Sequence, residues 1–251
     1  MSDNAFSALE SLEINTRQDS LKDNRELIDY YTAVINGLSH SIINAYDNIP
    51  KNGIDNNYKL LNYLSASRSI SISKSAIDIG LNGHPFEAFS LSRLLFELLQ
   101  TTQYLTRHPE LIARYYSGKI KPDQIRKQYE KEMPSNSSGR LFGLLSNFSH
   151  STRDILLIPI RQYEEGVVTP VIINDKDLIN KAIHSIVAHM WSHYFTFRVS
   201  FHDAKIADKT IQEMDAYIFD IPRMQRLFKN TSPELLQEMS ENIIRLDGDE
   251  R

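Results

Sequence analysis

Apolar residues recur at three- and four-residue spacing through most of this 251-residue chain, and this periodicity constrains its fold more than any other feature. The spacing is typical of amphipathic α-helices, each of which buries one apolar stripe. The sequence therefore predicts a mainly α fold, a multi-helix bundle. The predicted helices cover about 19–49, 56–79, 85–106, 109–116, 122–131, 141–150, 175–201, 208–219 and 233–246.

One stretch departs from the helical period. The segments DILLIPI and GVVTPVII are short, rich in β-branched residues and interrupted by proline, and Glu164, Glu165 and Gly166 lie between them. Proline within a short β-branched run is typical of edge strands. We therefore expect a short β-hairpin or an extended arm near 153–173.

The same periodicity predicts the domain organisation. Residues 1–18 lack a strong apolar stripe and are predicted to form a flexible N-terminal arm, and residues 247–251, DGDER, to form a disordered tail. The intervening residues 19–246 are long enough to bury one sizeable core. We expect them to fold as a single helical-bundle domain.

Composition narrows the classes of function. The net charge of −4 argues against a broad, sequence-independent grip on nucleic acid, although a local basic groove stays open. The chain has no cysteine, so disulfides and thiolate metal sites are excluded. The first residues carry no basic segment followed by an apolar core, and no stretch resembles a bilayer span. These features predict a cytoplasmic protein without a membrane partner, and nothing in the sequence nominates a cofactor.

Two charged residues, Arg93 and Glu97, interrupt the otherwise apolar helix predicted over 85–106. Four positions apart, they lie on one helix face, and Tyr104 continues that polar stripe. A guanidinium and a carboxylate taken from water cost several kcal/mol each unless they are paired. A structural ion pair that ties helices together or fixes a dimer is the favoured interpretation. The alternative is that Arg93 faces a cleft and binds phosphate or carboxylate.

A second polar group ends the helix LFGLLSNFSH. Ser146, Asn147 and His150 follow its apolar positions, and Asn147 shares a helix face with His150. An imidazole there can act as a general acid or base. It can equally cap the helix, because a histidine at a C-terminus satisfies the last carbonyl groups. From the local sequence alone the cap is favoured.

Three histidines lie on the helix predicted over 175–201: His184, His189 and His193. His189 and His193 have the four-residue spacing of a zinc-binding helix. No glutamate follows His189, and no spacing nominates a third ligand. We therefore favour partly buried polar contacts over a metal site.

The strongest basic–aromatic pattern begins with Arg114, Tyr115 and Tyr116. The basic residues that follow are Lys119, Lys121, Arg126 and Lys127. Such a pattern can neutralise phosphates and stack on bases, which makes RNA or a nucleotide a candidate ligand. The favoured alternative is a solvated helix face whose charge is balanced by Glu130 and Glu132.

These elements together resemble a family of uncharacterised bacterial all-helical proteins, catalogued as a domain of unknown function. The resemblance covers roughly 55–175 and rests on two short motifs. One is a helix with an R-x3-E pair, and the other is an S-x3-H element some tens of residues later. The matching residues are Ala88, Arg93, Glu97, Tyr104, Leu105, Ser146, His150 and Ser151.

That family is similar in layout to HEPN helical bundles of toxin–antitoxin and phage-defence systems. Many of these are dimeric, metal-independent ribonucleases whose active site places an Arg a few residues before a His on one helix. Here the nearest preceding arginine, Arg140, is ten positions from His150, and Arg153 follows it. The resemblance implies that Arg93, Glu97 and His150 form a set, with the Arg93–Glu97 pair hydrogen-bonded to the Ser146/His150 end.

Two hypotheses of function follow. In the first, the chain is a helical-bundle interaction or effector module, a homo-oligomer in a bacterial stress or defence setting, with a buried Arg–Glu–His polar cluster. In the second, it is an HEPN-like ribonuclease or nucleotide-handling enzyme, in which His150 is the acid–base and Arg93 stabilises phosphate charge. Whether the chain is an enzyme is left open by the sequence.

Overall fold

A computed structural model of the chain describes residues 2–49, 57–132, 172–173, 175–202, 206 and 208–228. Within these ranges the protein is helical and contains no strand, which confirms the predicted mainly α class. Short 3-10 turns cover Tyr46–Asn48 and Pro109–Leu111. The α-helices are α1 Ser2–Asp23, α2 Arg25–Ala45, α3 Tyr58–Leu81, α4 Pro85–Arg107, α5 Ile112–Tyr116, α6 Pro122–Glu132, α7 Lys176–Ser200, α8 Lys209–Ile218 and α9 Ile221–Leu227.

The first predicted helix is two helices in the structure, and the break between α1 and α2 lies at Asn24. The Asn24 side chain donates to the Ser20 carbonyl at 3.0 Å, and the Asn24 backbone N–H donates to the same oxygen. An asparagine that competes for backbone carbonyls in this way weakens regular helix geometry. The same amide also donates to Asn180 Oδ1 at 2.6 Å, so a contact distant in sequence holds the break.

The N-terminal segment, predicted as a flexible arm over 1–18, belongs to α1 from Ser2 onward. Polar contacts hold it: Arg17 donates to Asp78 at 2.9 Å and to Asn82 at 3.0 Å. Glu13 Oε1 lies 3.1 Å from His84 Nε2. The helix is thus longer than a partly helical arm, and the long-range contacts described for it come from charged and amide side chains.

The chain separates into two compact units. Unit 1 comprises Met1–Ile28, Ser71–Phe96 and Pro134–Val187, and unit 2 comprises Asp29–Ile70, Glu97–Met133 and Ala188–Arg251. Helices α2, α3, α4 and α7 each contribute residues to both units. The single domain expected over 19–246 stays a prediction.

Small side chains allow close helix packing in unit 1. A Cβ added to Gly80 would lie 3.3 Å from the Cβ of Ala88, so α3 and α4 approach closely there. Ser92 of α4 and Ser185 of α7 share a hydrogen bond of 2.8 Å. Small residues let helix axes approach, and the paired hydroxyls avoid the cost of burying unsatisfied polar groups.

Unit 2 contains two apolar groups. The larger one includes fully buried aromatic residues on α2 and α7, among them Tyr30, Tyr194 and Phe197. The smaller cluster joins the start of α3, the end of α4, α5 and α6. Its buried members are Leu61, Tyr104, Leu105, Ile112, Ile125 and Tyr129. This smaller cluster supports the site described below.

Several predicted elements lie outside the described residues: the helices at 141–150 and 233–246, the tail 247–251, and the hairpin or arm near 153–173 apart from Ile172 and Ile173. The Ile173 N–H donates to the Gly83 carbonyl at 2.9 Å. Among the helices that are described, none combines the length and apolar character needed to cross a bilayer.

Candidate functional site

The end of α5 is closed by a tight turn that contains Gly118. Gly118 has φ +72°, its N–H donates to the Tyr115 carbonyl at 2.9 Å, and the Lys119 N–H donates to the Arg114 carbonyl at 2.9 Å. These bonds form a Schellman motif, which requires a left-handed residue and therefore favours glycine. A Cβ on Gly118 would meet nothing within 4 Å, so the glycine is needed for its φ and not for space.

This turn presents positive charge to solvent. Arg114, Lys119 and Lys121 are all exposed, and Tyr116 between them is 43% exposed. We call these four residues the cationic turn. In the part of the chain that the structure describes, none of its three cations forms an ion pair with a carboxylate. Unpaired cations around an exposed aromatic ring make this surface a candidate anion-binding site.

One of the two acidic residues expected to balance the basic pattern does so: Glu130 pairs with Arg126 of that pattern, whereas Glu132 pairs with residues outside it. Glu130 Oε1 lies 3.0 Å from Arg126 Nη1, and Asp123 Oδ1 lies 3.1 Å from Arg126 Nη2. Glu132 contacts Arg107 at 3.3 Å and His108 at 2.9 Å. Residues 107–132 hold seven basic and four acidic side chains, a net charge of +3 in a chain of net charge −4. The cations of this range without a carboxylate partner in the described part of the chain are the three of the cationic turn and Lys131.

The aromatic residues of α5 differ in exposure. Tyr115 is half-buried and packs on the smaller apolar cluster, and its ring meets the Tyr116 ring edge-on at 5.7 Å. Burial raises the pKa of the Tyr115 phenol, and burial together with Tyr115 raises the pKa of Tyr116. Both phenols stay neutral at physiological pH and do not repel an anionic ligand.

A hydrogen-bonded network lies next to this surface, where α4 ends and α6 packs on it. The Tyr129 hydroxyl donates to Gln103 Oε1 at 2.6 Å, and Gln103 Nε2 donates to Thr196 of α7 at 3.0 Å. The Arg107 guanidinium lies over the Tyr129 ring at 5.4 Å. The network fixes α6 against α4 and so supports the turn between α5 and α6.

Tyr104, a predicted binding residue, is 7% exposed and belongs to the smaller apolar cluster. Its ring lies 4.5 Å from that of His108, whose Nδ1 is 3.6 Å from Glu110 and whose Nε2 is 2.9 Å from Glu132. The sequence HPE at 108–110 belongs to the stretch that carries the family resemblance, but His108 was not predicted as a site residue. The signal that could have found it is a histidine beside acidic residues at a helix end.

Of the predicted cluster of Arg93, Glu97 and His150, only Arg93 and Glu97 lie within the described residues. Arg93 and Glu97 lie one turn apart on α4, and both are half-buried instead of fully removed from water. The helix is apolar almost all round in sequence, which favours a central, buried position, but Leu94 between the two is 41% exposed. His150, with Ser146 and Asn147, lies outside the described residues. The cluster therefore stays a prediction.

The three histidines of α7 do not share one environment. His184 is exposed and its Nδ1 lies 2.9 Å from the Asn180 carbonyl oxygen, whereas His189 and His193 are buried. Burial, with a smaller effect from His193, lowers the pKa of His189 to about 3. Among the described residues no group of three or more His, Cys, Asp or Glu side chains could hold a metal ion.

Unit 2 contains a buried polar group that was not predicted from the sequence. Arg198 donates to Asp215 Oδ2 through Nη2 at 2.9 Å and through Nε at 3.2 Å, and the Tyr194 hydroxyl donates to Asp215 Oδ1. Burial, with the Asp215 carboxylate as the next cause, raises the pKa of Tyr194. Asp215 lies on the same buried face of α8 as Ile211 and Ile218. A carboxylate in an apolar stripe is the signal that could have found the group, as it did for Glu97.

Arg198, Asp215 and Tyr194 bind one another away from solvent, which suits a structural role. The cationic turn is instead exposed, and its cations have no carboxylate partner among the described residues. Comparison with protein-family models, with curated proteins and with solved structures finds no match for this chain.

Proposed function

We propose that this chain is a helical-bundle interaction module that binds a nucleic-acid strand, RNA in the first instance, at the cationic turn. The observation that carries the proposal is the set of three exposed cations, Arg114, Lys119 and Lys121, without carboxylate partners in the described part of the chain. Phosphates supply the missing negative charge, and release of their counterions supplies binding free energy.

The turn's geometry supports this proposal because its backbone is fixed before a ligand arrives. The Schellman bonds at Gly118 hold the α5 end, and the Lys121 N–H donates to Gln124 Oε1 at 2.9 Å at the start of α6. A pre-ordered turn loses little conformational entropy on binding. Three phosphate contacts on a single strand predict a slope of about −2 in a plot of log affinity against log salt.

A charge-reversal experiment tests the proposal. Fluorescence anisotropy would follow a labelled single-stranded RNA of about 15 nucleotides between about 50 and 200 mM salt. Lys119→Glu/Lys121→Glu should lower affinity about tenfold or more and make the salt slope shallower by about 1.4, since two of three contacts are lost. The matched control is Lys74→Glu/Lys181→Glu, which reverses two exposed lysines of unit 1 with the same change in net charge. Equal weakening by both double variants would refute a site at the turn.

The same samples address the HEPN-like ribonuclease, which stays the alternative proposal for His150 and Arg93. Electrophoresis of the RNA after incubation shows whether it is cut. Cleavage by the wild type that His150→Ala abolishes would replace the interaction module with the enzyme. Intact RNA in both would leave the binding proposal in place.

We also propose a homo-oligomer in the cytoplasm of a bacterium, in a stress or defence setting, from the resemblance to HEPN bundles. A chain without cysteine is compatible with a reducing compartment. Sedimentation equilibrium tests the oligomer directly, because the monomer mass is 29.0 kDa. A single species of that mass at micromolar concentration would contradict it.

A further inference from the structure

We infer that the cationic turn selects single-stranded over double-stranded nucleic acid, because the Tyr116 ring is placed to stack on an unpaired base. The inference rests on the proposed function and adds that the bound nucleic acid is single-stranded. Its first support is exposure: Tyr116 is 43% exposed although it lies directly beside half-buried Tyr115. When a flat partner covers an exposed aromatic side chain of that size, the free energy of the complex is lowered.

The orientation of the two rings is the second support. Tyr115 and Tyr116 meet at an interplanar angle of 69°, with centroids 5.7 Å apart. In an edge-on pair, Tyr115 covers at most one face of Tyr116, and 43% of the Tyr116 residue surface stays exposed. Tyr115 is itself held against the smaller apolar cluster, so the Tyr116 ring has a fixed neighbour. Stacking on such a ring loses less entropy than stacking on a freely moving one.

The position of the cations relative to the ring is the third support. Arg114 precedes Tyr116 by two residues, and Lys119 and Lys121 follow within five, across the turn closed by Gly118. Single-strand binding surfaces combine these two parts: cations that follow the backbone and an aromatic ring on which a base stacks. A strand that placed phosphates near the cations would bring a base within reach of Tyr116.

Duplexes and other polyanions use only half of this surface. In a double helix the bases stack on one another, so a duplex offers phosphates to Arg114, Lys119 and Lys121 and no free base face to Tyr116. Inorganic polyphosphate and acidic peptides likewise offer negative charge without a stacked base. The ring therefore distinguishes a single strand, while the cations alone do not.

Tyr116→Leu and Tyr116→Phe test the inference against four labelled probes of one length. The probes are single-stranded RNA, single-stranded DNA of the same sequence, a blunt RNA duplex and an abasic single strand. Wild type should bind either single strand about tenfold more tightly than the duplex or the abasic strand. Tyr116→Leu should lose that tenfold preference with an unchanged salt slope, and Tyr116→Phe should keep it. RNA and DNA strands should bind alike, because stacking does not read the 2′-hydroxyl.

Tyr46→Leu is the matched control, since Tyr46 is another exposed tyrosine of unit 2, at 66% exposure. Unchanged melting temperatures would show that each variant is folded. If duplex and single strand bind equally, or if Tyr116→Leu binds like wild type while Lys119→Glu/Lys121→Glu weakens binding, the stacking inference fails and the proposed function survives. If no probe binds, or charge reversal at the turn has no effect, the proposed function itself fails.

Discussion

Arg198 and Asp215 form an ion pair that is almost completely removed from solvent, with 3% and 6% of their side chains exposed and an Nη2–Oδ2 distance of 2.9 Å. The carboxylate also accepts a hydrogen bond from the Tyr194 hydroxyl, so both of its oxygens have a donor. The net contribution of such a pair to the free energy of unfolding is small, but removal of one partner is costly because a charge is left buried.

We expect Asp215→Ala to lower the free energy of unfolding by about 3–5 kcal/mol, because it removes the buried carboxylate that binds Arg198 and the Tyr194 hydroxyl. Urea unfolding followed by circular dichroism measures this. The double variant Arg198→Met/Asp215→Leu should lose less than Asp215→Ala, since it removes both charges. Glu213→Ala, on the same helix with a 69% exposed side chain, should change the free energy by less than about 0.5 kcal/mol. A cost at Asp215 no greater than at Glu213 would contradict the burial of the pair.

His189 gives the protein a defined acid sensitivity. Its pKa falls from 6.5 to about 3 in the fold, so the folded state holds the neutral ring and the unfolded chain takes up a proton below pH 6.5. The stabilisation is complete above about pH 6.5 and is lost as pH falls towards 3, at about 1.4 kcal/mol per pH unit. Between pH 7 and 5, the free energy of unfolding of His189→Leu should therefore fall by about 2 kcal/mol less than that of wild type.

The comparison is made on the change with pH, because His189→Leu also alters packing at pH 7. His184→Leu removes an exposed histidine from the same helix and should keep the wild-type pH dependence. If His189→Leu and wild type lose stability in parallel from pH 7 to 5, the ring is not held neutral by burial.

Substitution by alanine should lower the free energy of unfolding by different amounts at two glycines in left-handed conformations. Gly118→Ala should cost about 1 kcal/mol, because the strain of φ +72° is its only penalty. Gly83→Ala should cost more than about 2 kcal/mol, because its Cβ would lie 2.6 Å from Ile172 Cγ2 as well as at φ +92°. Chemical denaturation measures both. Gly118→Asn should recover most of the loss, since asparagine tolerates this conformation. Equal costs at the two sites would show that Ile172 does not press on Gly83.

Removal of a single hydroxyl group, that of Tyr129, tests the hydrogen-bonded network that holds α6 on α4. Tyr129→Phe removes the hydroxyl that donates to Gln103 Oε1 at 2.6 Å and should lower the free energy of unfolding by about 1 kcal/mol. Tyr115→Phe, a change of the same chemistry in the same apolar cluster, should have a smaller effect. Thermal unfolding of the two variants side by side provides the comparison. A larger loss for Tyr115→Phe would mean that the Gln103 bond does not fasten α6.

Much of the helical architecture was predictable because helix formation is local. The third and fourth helices were expected over 56–79 and 85–106 and lie at Tyr58–Leu81 and Pro85–Arg107. Pro85 at the first helical position and the glycines before it explain this agreement, since both signals act within a few residues. The full length of α1 was not predicted, because contacts such as Arg17 with Asp78 join residues 61 positions apart.

The candidate site likewise has features that the sequence predicted and features that depend on the fold. The pattern of Arg114, Tyr115 and Tyr116 with following lysines was visible in the sequence, including the acidic residues expected to neutralise it. Only the structure showed that Glu132 contacts Arg107 and His108 and that Glu130 contacts Arg126, so that the three cations of the turn have no carboxylate partner among the described residues. The roles of Arg93, Glu97 and His150 stay predictions, because His150 lies outside the described residues.

Most of the helices and their apolar stripes could be predicted from local sequence, because hydrogen bonds and side-chain spacing along one helix depend on near neighbours. The lack of cysteine excludes thiol chemistry. Which charges are paired is instead a property of the fold. Asp215 meets Arg198 and Tyr194 across two helices, and Arg114 meets no carboxylate in the described part of the chain. Pairing and burial depend on which distant segments come together, and no local pattern specifies that.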